Sequence, residues 1–385
     1  MRIAFYAPMK PPDHPVPSGD RHMARLFQQA FERAGHQIEL ACRLRSRDPQ
    51  GDPQRQARLQ KLGETLADRI LRRWETRPEG QRPQAWFTYH LYYKAPDWVG
   101  PSVCRRLGIP YLVAEASVAY KRAGGPWDLG HRATLDALAC AAAVITVNPH
   151  DTACLPEGSP VVALKPFLDS ARFRLTAEEK ATAKTNLAAR AGLDRSQPWL
   201  LSVAMMRRGD KLASYRLLAE TMTRLQDRPW QLLIVGDGPA RAEVEAAFSG
   251  TDPARLRFLG ECGPDTLREI YAAGDLFVWP AVNEAYGMAL LEAQTAGLPV
   301  IAGRTGGVPA IVEDGVTGLL TMPENCDAFT AALKDLLGDP RRQHDMAVAA
   351  AEKTAEQHDL STASKTLDAV LRQVREAAPP QKARS

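Results

Sequence analysis

The sequence predicts an α/β protein of two parallel-sheet lobes, and three observations lead there. Short β-rich runs alternate with amphipathic helical stretches, the pattern of parallel α/β domains. A length of 385 residues exceeds one ordinary core and suits two. The alternation also breaks once, at the Pro-containing segment PFLDSARF, and then restarts. The domain boundary is therefore expected near residues 166 to 175.

In the first half the strand candidates are IAFYAP (Ile3 to Pro8), QIELAC (Gln37 to Cys42), AWFTYH (Ala85 to His90), YLVAEA (Tyr111 to Ala116), AVITVN (Ala143 to Asn148) and the shorter VVALKP (Val161 to Pro166). The second half supplies WLLSVAMM (Trp199 to Met206), QLLIVGDG (Gln231 to Gly238), RLRFLG (Arg255 to Gly260), DLFVWPA (Asp275 to Ala281), PVIAG (Pro299 to Gly303) and GLLT (Gly318 to Thr321). Residues 1–168 are expected to form a first lobe and residues 176–340 a second, with ligands bound in a cleft toward which the strand ends open. A helical segment over 341–378 follows, for which a return to the first lobe is one open course. The last ten residues are expected to fray.

Hydrophobic content of 45% and charged content of 24% are those of a soluble globular chain and exclude a fibrous or disordered one. The longest apolar run, Leu138 to Val147, is about half of what crosses a bilayer. The N-terminus reads as a first strand and not as a secretory signal, so a cytoplasmic protein is expected. Six scattered cysteines without a C-x-x-C pair point to buried free thiols. A net charge of +4 gives no case for nucleic-acid binding.

The most informative stretch is PAVNEAYGMALLEAQTAGLPVIAG, from Pro280 to Gly303. It leaves an apolar strand, turns through Asn283, Glu284 and Ala285, and enters a helix near Tyr286 and Gly287. A helix start offers unpaired amides and the positive end of its dipole, which suits a diphosphate. Glycine at 287 lets a phosphate come close. Glu284 stands just ahead of the helix and Glu292 roughly 9 Å along it, so two carboxylates can grip two parts of one ligand. A donor made of sugar, diphosphate and ribose has that spread.

This stretch resembles the Glu-x7-Glu signature of the family 4 retaining glycosyltransferases, which have the GT-B fold. The resemblance implies that Glu284 contacts hydroxyls of the transferred sugar, that the Gly287, Met288 and Ala289 amides hold the diphosphate beside Tyr286, and that Glu292 binds the ribose. IVGDGP (Ile234 to Pro239) and FLGE (Phe258 to Glu261) resemble the loops bordering the nucleotide base, so Gly236, Gly260 and Glu261 join the donor site. RTGGVPAIVEDGVTGLL (Arg304 to Leu320) resembles the Gly-Gly turn that follows, and plain turn geometry explains the same glycines. MMRRGDKLASY offers Arg207, Arg208 and Lys211 for leaving-group stabilisation. Relatives usually carry Gly-Arg where this chain has Ala204-Met205, and its basic residues come later.

PVPSGDRHMARLFQQAFERAGHQIEL resembles the family's N-terminal glycine loop and helix, with Gly19 near the donor and Ser18 or Asp20 capping. A plain capped helix accounts for the same residues. His90 stands where the family often has a polar residue facing the acceptor; as a His beside Tyr89, Tyr92 and Tyr93, it reads equally as a structural residue. At the next strand end many relatives have a His, whereas this chain has Glu115, open to acceptor positioning or hydroxyl deprotonation.

No Asp-x-Asp occurs, so neither a metal nor another cofactor is expected. The expected partners are a nucleotide diphosphate sugar and a sugar or lipid-linked acceptor. Two alternatives share the lobes: a sugar-nucleotide epimerase, and a nucleotide-sugar-binding protein without turnover. Between Arg43 and Arg82, eleven basic residues face six acids. Leu59, Leu62, Leu66, Ile70 and Trp74 recur at helical spacing there, flanked by Arg55, Arg58, Lys61, Arg69, Arg72 and Arg73. Either this helix packs on the first lobe with a solvated basic flank, or the flank docks on anionic membrane.

Overall fold

A computed structural model describes residues 1–16 and 18–377, apart from the side chains of residues 149 and 150. In chain order the elements are β1 (Arg2–Tyr6), α1 (Gly19–Arg33), β2 (Gln37–Leu40), α2 (Pro53–Glu75), β3 (Ala85–Leu91), α3 (Gly100–Leu107), β4 (Tyr111–Ala116), α4 (Asp128–Ala139), β5 (Ala141–Thr146), α5 (Pro149–Thr152) and β6 (Val161–Ala163). Then come α6 (Ala177–Ala191), β7 (Trp199–Val203), α7 (Asp210–Arg224), β8 (Gln231–Val235), α8 (Arg241–Ala247), β9 (Leu256–Gly260), α9 (Pro264–Ala273), β10 (Leu276–Trp279), α10 (Met288–Thr295), β11 (Val300–Gly303), β12 (Gly318–Thr321), α11 (Cys326–Leu337), α12 (Pro340–Gln357) and α13 (Leu360–Ala377).

Two compact units result: Met1–Lys165 with the chain from Leu360 onward, and Pro166–Asp359. Each holds one six-stranded sheet, of order β2-β1-β3-β4-β5-β6 in the first and β12-β11-β10-β7-β8-β9 in the second. Every pairing between these strands is parallel. Parallel sheets are covered on both faces, which is why β4 and β8 are buried at every residue and are apolar apart from Glu115 and Gln231. Phe27, Phe31 and Phe87 anchor the first core, with Phe87 4.9 Å from Phe31 and 5.3 Å from Phe27 between ring centroids. Trp199, Trp230, Trp279, Tyr215 and Tyr271 are fully buried in the second.

The expected helical segment 341–378 divides at residue 359. α12 buries Met346, Ala350 and Thr354 and packs on α10, so it stays with the second unit. α13 packs on α1 in the first unit, burying Leu367, Val370, Leu371 and Val374. A fully buried leucine contributes about 1.5–3 kcal/mol, so this face holds α13 firmly. Asp368 on α13 also lies 3.1 Å from His36 Nε2. Of the ten residues expected to fray, 376 and 377 are helical and 378–385 lie outside the described residues.

The helix over the basic stretch is α2, capped by Asp52, whose side chain accepts from the Gln54 and Arg55 amides. Its buried stripe is rotated from the expected one: Gln56, Gly63, Ala67, Ile70, Leu71 and Trp74 face inward, and Leu62 is 47% exposed. Contact with α3 and α4 selects the small Gly63 and Ala67 over the leucines. At Gly63 a Cβ would fall 2.3 Å from that of Trp98. The basic flank is also interrupted, because Arg73 pairs with Glu39 of β2 at 3.2 Å. The cysteines are free, but Cys104 is buried and Cys154 exposed, so burial is not common to all. Among the described residues no helix is long and apolar enough to cross a membrane.

Candidate active site

In a parallel α/β sheet the crevice for a ligand opens at the carboxyl ends of strands, where the strand order reverses. In the second unit that place is between β7 and β10. The segments leaving these two strands are Ala204–Gly209 and Pro280–Gly287, so topology brings together residues more than seventy positions apart. Lys211, in the first turn of α7, donates from Nζ to Glu284 Oε2. The same oxygen accepts from Trp279 Nε1 at 3.1 Å, and the ammonium lies 5.3 Å from the Trp279 ring centroid. Glu284 is thus fixed at one oxygen and half-buried. The other oxygen remains available to accept from hydroxyls.

The loop carrying Glu284 is braced from three sides. Ser214 Oγ accepts from the Val282 amide at 2.9 Å, and Asn283 Nδ2 donates to Asp210 at 2.9 Å. Thr305 Oγ1 donates to the Ala281 carbonyl at 2.5 Å and accepts from the Glu284 amide at 3.3 Å. Gly306 and Gly307 press directly on it: a Cβ at 306 would stand 2.0 Å from the Glu284 carbonyl oxygen, and one at 307 would stand 2.4 Å from that of Ala285. The Gly-Gly turn is therefore a packing requirement beneath the loop. None of Ser214, Trp279 and Thr305 was singled out from sequence. Only a turn of small residues after β11 hinted at close approach.

α10 starts at Met288, with Gly287 at φ +78 and no side-chain cap. That left-handed conformation favours glycine. The amides of Gly287, Met288 and Ala289 thus open the helix without a competing side chain, an anion-binding arrangement. Glu292 lies further along α10, half-buried, and accepts from Tyr271 Oη at 2.8 Å. Burial pushes its carboxyl up to about 7, against the lowering effects of the Tyr271 hydrogen bond and the Arg172 charge. Tyr271 was likewise not foreseen. It reaches the site from α9, whose sequence has no local link to α10.

Gly236 and Gly260 are brought together at the ends of β8 and β9, where the Gly236 amide donates to the Gly260 carbonyl at 2.8 Å. Glu261 is exposed beside them, and Tyr286 is half-buried ahead of α10. Arg207 is exposed after β7, whereas Arg208 is engaged by Glu243 at 2.8 Å. Glu313 pairs with Lys353 of α12.

In the first unit the order reverses between β1 and β3. Ser18 caps α1 through the Arg21 amide at 3.2 Å, leaving Gly19 exposed in the first turn and Asp20 turned to His90, its Oδ1 2.9 Å from Nδ1. Burial works to raise the Asp20 carboxyl, and the hydrogen bond and charge of His90 outweigh it, so Asp20 sits below its usual value. Glu115 at the end of β4 is 8% exposed, and burial together with Asp151 and Asp20 pushes it up to about 8. His90 and Glu115 both have left-handed backbones, φ 62 and φ 58. Such strain in non-glycine residues clusters at functional sites.

Comparison with known proteins adds a family. Residues 197–339 match the family model described as glycosyl transferases group 1. Sulfoquinovosyl transferase SQD2 of Arabidopsis thaliana is 35% identical over 39% of this chain and 29% of its own length. D-inositol 3-phosphate glycosyltransferase of Corynebacterium diphtheriae is 36% identical over 36% of this chain and 34% of its own. Alpha-D-kanosaminyltransferase of Streptomyces kanamyceticus is 30% identical over 54% of this chain and 53% of its own. The chain thus matches about a third to a half of the length of these relatives. Among solved structures, sucrose-phosphate synthase from Thermosynechococcus elongatus has a TM-score of 0.73 at 19% identity, over 98% of this chain and 99% of that one. Anabaena Alr3699/HepE, solved in complex with UDP and glucose, has a TM-score of 0.69 at 14% identity, over 97% and 99%. These likenesses show the fold, two parallel α/β lobes of GT-B type.

Proposed function

Since residues 197–339 match the family model described as glycosyl transferases group 1, we propose that the chain moves a sugar from a nucleotide diphosphate donor to an acceptor hydroxyl, with retention at the anomeric carbon and no metal. One observation carries the reading: Glu284, held by Lys211 and Trp279, stands immediately before the uncapped start of α10 and ahead of Glu292 on the same helix. A carboxylate for sugar hydroxyls, amides for a diphosphate and a second carboxylate for a ribose follow one another in the order of the donor's parts.

In this reading the Gly287, Met288 and Ala289 amides hold the diphosphate, and Glu292 accepts from the ribose. Lys211 and Arg207 oppose the negative charge that grows as the bond from the anomeric carbon to the phosphate oxygen breaks. The acceptor oxygen bonds to that carbon on the same face, and its proton passes to the departing diphosphate. Glu284 orients the sugar and supports its oxocarbenium character without bonding to it. Gly236, Gly260 and Glu261 border the base, with Tyr286 beside the diphosphate. His90 and Glu115 serve the acceptor. A carboxyl titrating at about 8 is mostly protonated at neutral pH, so Glu115 positions the acceptor by donating a hydrogen bond. The proposed setting is glycan or glycolipid synthesis on the cytoplasmic side, with the exposed basic flank of α2 available to anionic membrane.

The test begins with thermal shift against UDP-, GDP- and ADP-sugars, since a ligand of the folded state raises stability. The donor so found is then followed by NMR through transfer to an acceptor. Transfer with the donor's anomeric configuration supports the proposal. An inverted product, epimerisation without transfer, or tight binding without turnover overturns it.

A further inference from the structure

The loops at the carboxyl end of the first unit's sheet are rich in cations and aromatic rings. After β1 comes Lys10; after β2, Arg43, Arg45 and Arg47; after β3, Tyr92, Tyr93 and Lys94; after β4, Tyr120, Lys121 and Arg122. Arg43 has a carboxylate, Asp13, at 2.5 Å. Among the described residues Arg45, Arg47, Lys94 and Arg122 have none within ion-pair distance. The nearby acids are committed elsewhere. Asp48 is buried and accepts from the Gln50 and Asp52 amides and from Gln56 Nε2, and Asp128 serves Arg132 and the Gly124 amide.

What holds the uncompensated charges is an aromatic corner. Tyr93 and Trp127 meet edge to face, 5.8 Å apart at an interplanar angle of 85°. Lys94 Nζ lies 5.7 Å and 5.2 Å from these two rings, and Arg122 Cζ lies 5.3 Å and 5.0 Å from them. Two cations thus share one corner through the negative faces of its rings. The corner is rigidly built: Trp127 Nε1 donates to the Asp48 carbonyl at 3.0 Å, the Asp48 amide donates to the Lys94 carbonyl at 2.7 Å, and Gln56 Nε2 donates to the Pro126 carbonyl at 2.8 Å. Contacts run from it to the acceptor candidates, through Tyr92 at 5.6 Å from Tyr93 and 5.1 Å from His90.

We propose that this corner makes the acceptor site specific for an anionic saccharide: the sugar rests on Tyr93 and Trp127, and a phosphate or carboxylate on it engages Lys94 and Arg122. Like charges held close together destabilise each other, and an anion between them relieves that repulsion while gaining charge-assisted hydrogen bonds from both. A flat guanidinium and an ammonium against aromatic rings suit an anionic sugar, which offers an apolar ring face beside its charge. A neutral acceptor would leave both cations uncompensated.

The inference rests on the acceptor-side reading of the first unit, and its test separates the two. Binding of glucose, glucose 1-phosphate, glucuronate and inorganic phosphate to the full chain is measured by calorimetry with UDP present to fill the nucleotide site. An anionic sugar should bind roughly tenfold more tightly than glucose, the effect of about one charge-assisted hydrogen bond at a half-buried site. The Lys94→Gln/Arg122→Gln double variant should lose that preference and Lys94→Arg should keep it, with unfolding midpoints showing that both variants fold. If glucose 1-phosphate and glucuronate bind no better than glucose, or if the double variant keeps the preference, the inference is overturned while any sugar transfer still measured leaves the transferase reading intact. Preference for phosphate over the anionic sugars would also overturn it, because no sugar would then be recognised. An anionic preference in a chain that transfers no sugar supports the site and refutes the transferase reading alone.

Discussion

Replacing Gly306 by alanine tests whether the Gly-Gly turn supports the Glu284 loop. The new Cβ would lie 2.0 Å from the Glu284 carbonyl oxygen and 3.0 Å from its carbon, on a backbone at φ +46. A left-handed alanine costs about 1–2 kcal/mol and an overpacked contact about 1–3 kcal/mol, so the sum is about 2–5 kcal/mol. At about 2–4 °C per kcal/mol for a unit of this size, the unfolding midpoint should fall by about 4–20 °C. Gly315→Ala is the control: its φ is +76 and nothing lies within 4 Å of the added Cβ, so only the backbone cost remains. Its midpoint should fall by about 2–8 °C. Thermal unfolding gives the stabilities, and titration with the nucleotide sugar gives donor affinity, which only Gly306→Ala should weaken. Equal midpoints for the two variants, or wild-type donor affinity in Gly306→Ala, would refute the bracing argument.

Glu292→Ala should weaken donor binding by about tenfold or more through loss of the carboxyl acceptor, whereas Glu284→Ala should chiefly lower single-turnover rate; wild-type values in both would dismiss the assignment. EDTA should leave activity intact and Lys211→Ala should reduce it by about a hundredfold, with loss to EDTA and rescue by Mg²⁺ as the contrary result. Glu115 and Glu292 are pushed up to about 8 and about 7 from 4.5, so the folded state binds protons that the unfolded state has released. The stability they contribute is full below about pH 4.5 and is lost as pH rises through about 7 and about 8; Glu115→Gln should flatten the upper part of that fall in unfolding midpoints. Co-sedimentation with anionic vesicles should be salt-sensitive and lost when Arg69 and Arg72 become Glu, while equal binding to neutral vesicles, or none to either, removes the membrane contact.

How much of this was legible in the sequence depends on how local the cause is. Inner strands buried on both faces betray themselves as apolar runs, and although the edge strands β2, β6 and β9 hold no fully buried residue, all twelve candidate runs contain strands in the structure. Glu284, Gly287 and Glu292 share one continuous segment, and their spacing along α10 follows from helix geometry alone. Tyr271, Trp279 and Thr305 reach the same place through the sheet order, which no local pattern encodes. α2 shows the opposite failure. Its leucines formed a plausible stripe, but contact with α3 and α4 chose Gly63 and Ala67, and only tertiary packing could rank small residues above large ones. The left-handed backbones of His90 and Glu115 carry no sequence signal, since neither residue type suggests them.

α13 is the last described element of the chain and yet belongs to the first unit, packed on α1. During synthesis the first sheet therefore emerges long before one of its covering helices exists, and the α1 face that receives α13 stays bare while the second unit is made. The second unit closes at Asp359, so it can finish folding first although it begins later. Birth order and folding order are inverted, and the interval is a window in which a chaperone could hold the unfinished unit.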